Sequence, residues 1–409
     1  MTTKQRKDLT FHYNLKRGRH GWLRLTPAYS IKLVYQILDN IPRLPTYVLD
    51  PFAGTGTTGL VCGERGISSD LLDINDFLVW FTRAKTRNYS TTHLQTAYDI
   101  LQTLKDNGLT PVRPLDELWV PPISNIARWW NSERLMVLAN LHVLLTKTFP
   151  NNLPIKDLFY IAFCRLVIEV SNVAFNHHSM SFKSNQAEQR QLFFEDEQQH
   201  LFNRFIDLVE EVLRSAQLSI KGKIQVRRAD ARAIPIPSGG LYDCVITSPP
   251  YPNRMSYIRE LRPYMYWLGY LVEARDAGEL DWQAIGGTWG VATSRLAEWH
   301  PNGITIDDDN FNRMIRQIQR QSHVLANYVH KYFIDMKQHF MSIFETLASG
   351  ARIYYVVGNS KFYDTLVPTE KIYAQLMQAV GFDQIAIEVI RKRNSKKELY
   401  EYLVSATKP

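Results

Sequence analysis

The sequence predicts an α/β chain with a mostly parallel sheet, an antiparallel C-terminal hairpin and an inserted helical domain. Three observations predict it. Residues 46–50 form a short apolar run that breaks into the glycine-rich stretch Asp50-Pro51-Phe52-Ala53-Gly54-Thr55-Gly56-Thr57-Thr58, the pattern of a strand, a tight turn and a helix. Residues 91–220 are helical in texture almost throughout. The chain closes on a strand, a helix and two strands joined by the basic turn Arg391–Lys397, which suits an open sheet ending in a hairpin.

In order, the first strand (46–50) leads through the turn to a short helix ending at Gly66, then to a second strand, Ser68–Ile74, and a helix, Phe77–Thr86. Leu94, Ala97, Leu101 and Leu104 recur at spacings of three and four before Gly108, the stripe and cap of an amphipathic helix. Pro111–Pro122 reads as a linker, and helices are expected at Ser132–Lys147, Ile155–Phe175 and Glu195–Ala216. Strands resume at Lys223–Arg228 and Tyr242–Thr247, the latter stopping at Ser248-Pro249-Pro250-Tyr251. Residues 272–310, with Gly286-Gly287 and several tryptophans, lack periodicity and are expected to be loop-rich. One long helix (311–348), a strand at Ala351–Val357, a helix at 368–380 and strands at Asp383–Lys392 and Tyr400–Ala406 complete the reading. The segments expected are therefore 1–90, 221–271 and 311–409 for the catalytic domain, 91–220 for the helical module and 272–310 for a second insertion, either of which could read a target.

The 409 residues, 45% hydrophobic and 22% charged, carry a formal net charge of +8, so an anionic partner, nucleic acid first, is expected alongside the plainer reading of a basic enzyme. Three scattered cysteines match no metal-ligand spacing, and no metal site is expected. The basic N-terminus has no apolar core of a signal peptide, and no apolar run reaches membrane-spanning length. A cytoplasmic, bacterial setting with no membrane association is the expectation.

The glycines of the first turn let backbone approach a ligand closely. Gly54, Gly56 and Gly59 fit the dinucleotide spacing, but the acid, Pro-Phe and threonines have no place in that reading, and the Gly-Lys-Ser/Thr ending of a phosphate loop is absent. A carboxylate at the second strand's end, Asp73, can accept both ribose hydroxyls of an adenosine cofactor; the plainer alternative is a helix cap. The turn and Asp73 together favour a cofactor without separating a nicotinamide dinucleotide from a methyl donor. Ser248-Pro249-Pro250-Tyr251 separates them. Prolines fix rigid, outward carbonyls, so Ser248 Oγ and the Pro249 carbonyl can accept hydrogen bonds from an exocyclic amine while Tyr251 offers a flat face to a base.

On these residues the chain resembles the amino-directed DNA methyltransferases that use S-adenosyl-L-methionine. Its first turn is similar to their cofactor motif and SPPY to their catalytic motif, in the form closest to cytosine-N4 enzymes. The fold that the resemblance implies is the Rossmann-like class I methyltransferase sheet. It also implies an upstream cofactor motif in Arg19–Ile37, with Pro27 and Tyr29 at the methionine end. Asp50, Pro51, Phe52, Gly54, Gly56 and Thr57 would surround the cofactor, Asp73 the ribose, and Ile74, Asp230 and Ala231 the adenine. Catalysis would fall to Ser248, Pro249, Pro250 and Tyr251. Asn253 and Arg254, and the polar stretch holding Asn172, His177, His178 and Lys183, are candidates for contacting DNA. The activity implied is methylation of a flipped cytosine N4 amine in double-stranded DNA, with a cognate restriction endonuclease as partner. Adenine-N6 methylation is the nearest alternative; methylation of RNA or protein amines, or DNA binding without catalysis, are more distant ones.

Overall fold

A computed structural model of the chain describes all residues except 1–5, 27, 152, 175–180, 183–193, 238, 289, 302 and 394–397. Its centre is a seven-stranded sheet of β1 (Tyr47–Asp50), β2 (Ser68–Asp73), β3 (Ile224–Arg228), β4 (Tyr242–Thr247), β5 (Leu347–Gly358), β6 (Asp383–Lys392) and β7 (Tyr400–Thr407), in the order β6-β7-β5-β4-β1-β2-β3. All neighbours pair in parallel except β7, which runs antiparallel to both β5 and β6. This is the expected Rossmann-like, mostly parallel sheet, with its antiparallel C-terminal hairpin beside β5.

The central strands are apolar at nearly every position because both faces are covered. Alternation sends Val48, Cys244, Ile246 and Val356 toward α1 (Ile31–Asn40) and α2 (Thr57–Glu64). Their neighbours Leu49, Val245, Ile353, Tyr355 and Val357 face the opposite layer. Helix α3 (Asp76–Thr86) follows β2 and opens on Asn75, whose side chain accepts from Phe77 N–H.

Between α3 and β3 the chain builds a helical layer: α4 (Thr91–Asn107), α5 (Ser132–Thr148), α6 (Lys156–Glu169) and α7 (Phe194–Ala216). The helix expected to run to Phe175 ends at Glu169, where the turn at Ser171 leads into Val173–Ala174, paired antiparallel with Ser181–Phe182; Phe175 itself lies outside the described residues. Trp129 and Trp130 are core residues of this layer. The layer is not a separate lobe. Its core runs without a break into Trp22, Phe77 and α8 (Tyr257–Trp267), where Trp267 meets Trp130 and Phe163 edge-on at 6.0 and 5.5 Å.

Residues 272–310, expected to be loop-rich, hold two short helices amid the loop, α9 (Ala274–Gln283) and α10 (Val291–Glu298), separated by Gly286-Gly287 and too brief to show a periodic stripe. The long helix expected over 311–348 is two, α11 (Asp309–Gln319) and α12 (His323–Thr346), because the Ser322 hydroxyl caps a new start by accepting from Leu325 N–H. Helix α13 (Thr369–Val380) packs on α12 before the final hairpin. None of the described helices is long and apolar enough to cross a membrane.

Candidate active site

The strand order reverses at β1, between β2 and β4, and ligands of open α/β sheets lie at the carboxyl ends of strands at such a point. Gly54 and Gly56 take φ of +51° and +71°, so the chain turns back into α2 at little steric cost. A side chain at Gly59 would collide with Leu71 at 2.3 Å, and the third glycine therefore lets α2 lie directly on β2. The Gly54 N–H donates to Asp73 Oδ2 at 2.9 Å, and the Asn75 N–H donates to Oδ1 at 2.9 Å. Burial pushes the Asp73 carboxyl up to about 7 against the pull of these donors. Each oxygen keeps a second lone pair for a ligand hydroxyl.

Asp50 organises the floor. Its Oδ1 accepts from Thr247 Oγ1 at 2.6 Å and Phe52 N–H at 3.1 Å, and Oδ2 accepts from Thr58 Oγ1 at 2.6 Å. Tyr29 in turn bonds Thr58 through its hydroxyl. One buried chain thus links the upstream segment, the glycine turn and the start of SPPY. Burial raises the Asp50 carboxyl to about 6, with the two threonine hydroxyls opposing it.

The SPPY turn is tied at nearly every residue. Ser248 Oγ donates to the Val356 carbonyl at 3.2 Å, which leaves the oxygen's lone pairs to accept from a ligand. Tyr332 OH donates to the Pro250 carbonyl at 2.7 Å and is itself bonded to Tyr373 OH at 2.6 Å. Tyr251 OH donates to Glu401 Oε1 at 2.9 Å. Among the described residues no donor reaches the Pro249 carbonyl.

These elements surround one cleft. Tyr29, Pro51, Phe52, Gly54, Thr57, Asp73, Ile74, Asp230, Ala231, Ser248 and Pro250, all singled out from sequence, line it together. Burial raises the Asp230 carboxyl, but Arg232 more than offsets this through a bidentate pair at 2.8–3.2 Å, leaving it below its ordinary value.

Other expected residues stand elsewhere. Asp50 is fully buried, accepts from Thr247, Phe52 and Thr58 of its own chain, and is not among the residues that line the cleft. Gly56 faces Thr82 of α3, and Pro249 is buried between two lining residues. Tyr251 is turned toward the C-terminal hairpin. Asn253 accepts from Met255 N–H, and Arg254, exposed at φ +62°, donates its N–H to Tyr328 OH. Asn172 donates its N–H to the Trp129 carbonyl within the helical layer and does not reach the cleft. Pro27, His177, His178, Lys183 and Trp289 lie outside the described residues.

Sequence reasoning missed an entire wall. Met255, Tyr257 and Ile258 line the cleft after SPPY, and the second insertion supplies Asp281 and residues 283–285 and 287. Asp281 is 1% exposed and accepts from Ser256 Oγ at 2.6 Å and Thr288 N–H at 2.7 Å. The Gly286-Gly287 pair was the available signal: a side chain at Gly287 would meet the Asp281 carbonyl at 1.6 Å. Lys85 was also missed. It is buried beneath the glycine turn, donates to the Thr55 carbonyl at 2.7 Å, and is lowered by burial to about 7.

Sheet order and cleft position together define a Rossmann-like architecture with a ligand site at the switch point of the sheet. Comparison with known proteins found no matching family model. The chain is 22% identical to Type II methyltransferase M.BsoBI of Geobacillus stearothermophilus, over 98% of its own length and 86% of that protein. It is 21% identical to Type II methyltransferase M.AvaI of Nostoc sp., over 96% and 86% respectively. Among solved structures it is similar to TrmN from Thermus thermophilus (TM-score 0.33, 10% identity, 98% of this chain and 53% of that one). It is also similar to the rRNA methyltransferase AviRa from Streptomyces viridochromogenes (TM-score 0.28, 11% identity, 94% and 87%).

Proposed function

We propose that this chain is a DNA methyltransferase that uses S-adenosyl-L-methionine to methylate the N4 amine of a flipped-out cytosine in double-stranded DNA. The observation that carries the reading is the Ser248 oxygen, free to accept at the head of the rigid SPPY turn, in the same cleft as Asp73 and Gly54. The likeness to type II methyltransferases along nearly the whole chain supports the DNA substrate and a restriction-modification setting.

The residues present fit the methyl donor. Asp73 offers two acceptors to ribose hydroxyls, Ile74 and Ala231 offer apolar contact to an adenine, and the Gly54 backbone approaches closely. When bound, the donor supplies an electrophilic methyl group on a sulfonium. The chain's own work is positional. A base must leave the stack to enter, at a cost of a few kcal/mol. The Pro249 carbonyl and Ser248 oxygen accept both hydrogens of its exocyclic amine, which draws the nitrogen lone pair out of conjugation and aims it into the cleft. No strong base is required, because the methylated amine turns acidic and releases its proton late.

The serine at the first SPPY position supports cytosine N4 over adenine N6. Nucleoside mass spectrometry of unmethylated duplex DNA incubated with the enzyme and methyl donor tests this directly. N4-methylcytosine is expected; N6-methyladenine alone would replace the reading with its nearest rival.

A further inference from the structure

The Tyr251 side chain is turned toward the C-terminal hairpin, where it meets a buried ion pair. Its hydroxyl donates to Glu401 Oε1 at 2.9 Å. Glu401 is 5% exposed on β7 and is held by Arg391 of β6, its cross-strand neighbour, through bonds of 2.7 and 3.2 Å. Directly across from Glu401 on β5 stands Gly358, where a side chain would come within 2.8 Å of the Tyr251 ring. Arg393 lies 5.1 Å from the ring centroid and donates to the Asn359 carbonyl at 2.8 Å. The start of the basic turn Arg391–Lys397 is folded inward around one tyrosine.

A buried carboxylate–guanidinium pair is poor value as a stabiliser, because an apolar pair of similar volume often does as well or better. Its retention needs another reason. This pair reaches the catalytic turn through the Tyr251 hydroxyl. We propose that Glu401 is a positioning residue: neutralised by Arg391, its carboxylate holds the Tyr251 ring at the orientation in which it receives the target base. The empty side-chain position at Gly358 provides the room the ring needs. The proposal rests on the reading that Tyr251 is the base-stacking residue of a DNA methyltransferase.

The test is a double-mutant cycle of Tyr251→Phe and Glu401→Gln, scored by transfer of labelled methyl from S-adenosyl-L-methionine to unmethylated duplex DNA. Calorimetry of cofactor binding runs beside it. Each single variant is expected to lower kcat about tenfold, the scale of one hydrogen bond to a charged group, with cofactor affinity unchanged. The double variant should be no slower than Tyr251→Phe alone, since Glu401 acts only through the missing hydroxyl. Multiplying effects, or a single variant with wild-type kcat, would overturn the proposal. If Glu401→Gln does not fold, Tyr251→Phe still decides, because it removes only the hydroxyl and leaves the Glu401–Arg391 pair intact. Absence of methyl transfer by the wild-type protein would instead sink the functional reading, so the two failures are distinguishable.

Discussion

Asp73 binds two backbone N–H groups yet is pushed by burial up to about 7. Ribose hydroxyls would donate to its ionised form, so cofactor binding favours ionisation. Affinity is therefore expected to be constant above neutrality and to weaken as pH falls through about 7, by up to tenfold per pH unit. Isothermal calorimetry across that range checks it, and Asp73→Asn should weaken binding and flatten the profile. Asp50, raised to about 6, and Lys85, lowered to about 7, are retained in that variant and account for any slope that remains. Ser248→Ala is expected to behave oppositely, lowering kcat by one to two orders of magnitude, about the worth of a hydrogen bond used at the reacting amine, with cofactor affinity kept. Equal loss of affinity would sink its assignment to the amine. Both residues were readable in the sequence because each sits at a strand end beside a turn of restricted geometry. Lys85 and Asp281 were not, since nothing in their local sequence says what a helix or an insertion will be packed against.

The helix α2 lies on β2 because Gly59 has no side chain to meet Leu71. Gly59→Ala is expected to destabilise the protein by about 1–3 kcal/mol through overpacking. Leu71→Ala alone should cost about 2–5 kcal/mol as a cavity. The double variant should lose clearly less than the two combined, because each change relieves the other; urea denaturation of the four proteins measures this, and strict additivity would deny the contact. Among the elements, the buried parallel strands and the long amphipathic helices are legible from their periodicity. The failures cluster where periods are too short to register, as in α9 and α10, or where a serine cap such as Ser322 splits an otherwise continuous helical pattern.

At the scale of the whole molecule, Arg19 joins three parts of the chain. It is 2% exposed and donates to the carbonyls of Lys85 and Arg87 at the end of α3, and of Ser215, Ala216 and Leu218 at the end of α7, at 2.6–3.3 Å. Burial lowers this guanidinium to about 10, and the C-terminal ends of two helices supply the partial negative charge that keeps it protonated. Arg19→Met is expected to destabilise the fold by about 3 kcal/mol or more, since several buried carbonyls lose their donor at once. Arg19→Lys should recover little, because an ammonium has three donors and no planar fork. Thermal melts compare the three proteins, and wild-type stability in Arg19→Met would show that water replaces the side chain freely. In sequence this residue opens Arg19–Ile37, the stretch that resembles an upstream cofactor motif. Only the fold brings two helix ends to it.

The sequence by itself determined the order of strands and helices, the glycine turn, the acid that closes β2 and the rigid SPPY turn. Each of these is dictated by local chemistry: side-chain periodicity, positive φ, or proline's fixed backbone. The tertiary structure decided which acids face the cleft, which arginines are structural and where Tyr251 is held. Those outcomes depend on contacts between residues 150 or more positions apart, such as Tyr251 with Glu401 and Arg19 with Ala216. Whether a charge is solvated, paired or buried against carbonyls is settled by what the fold places around it.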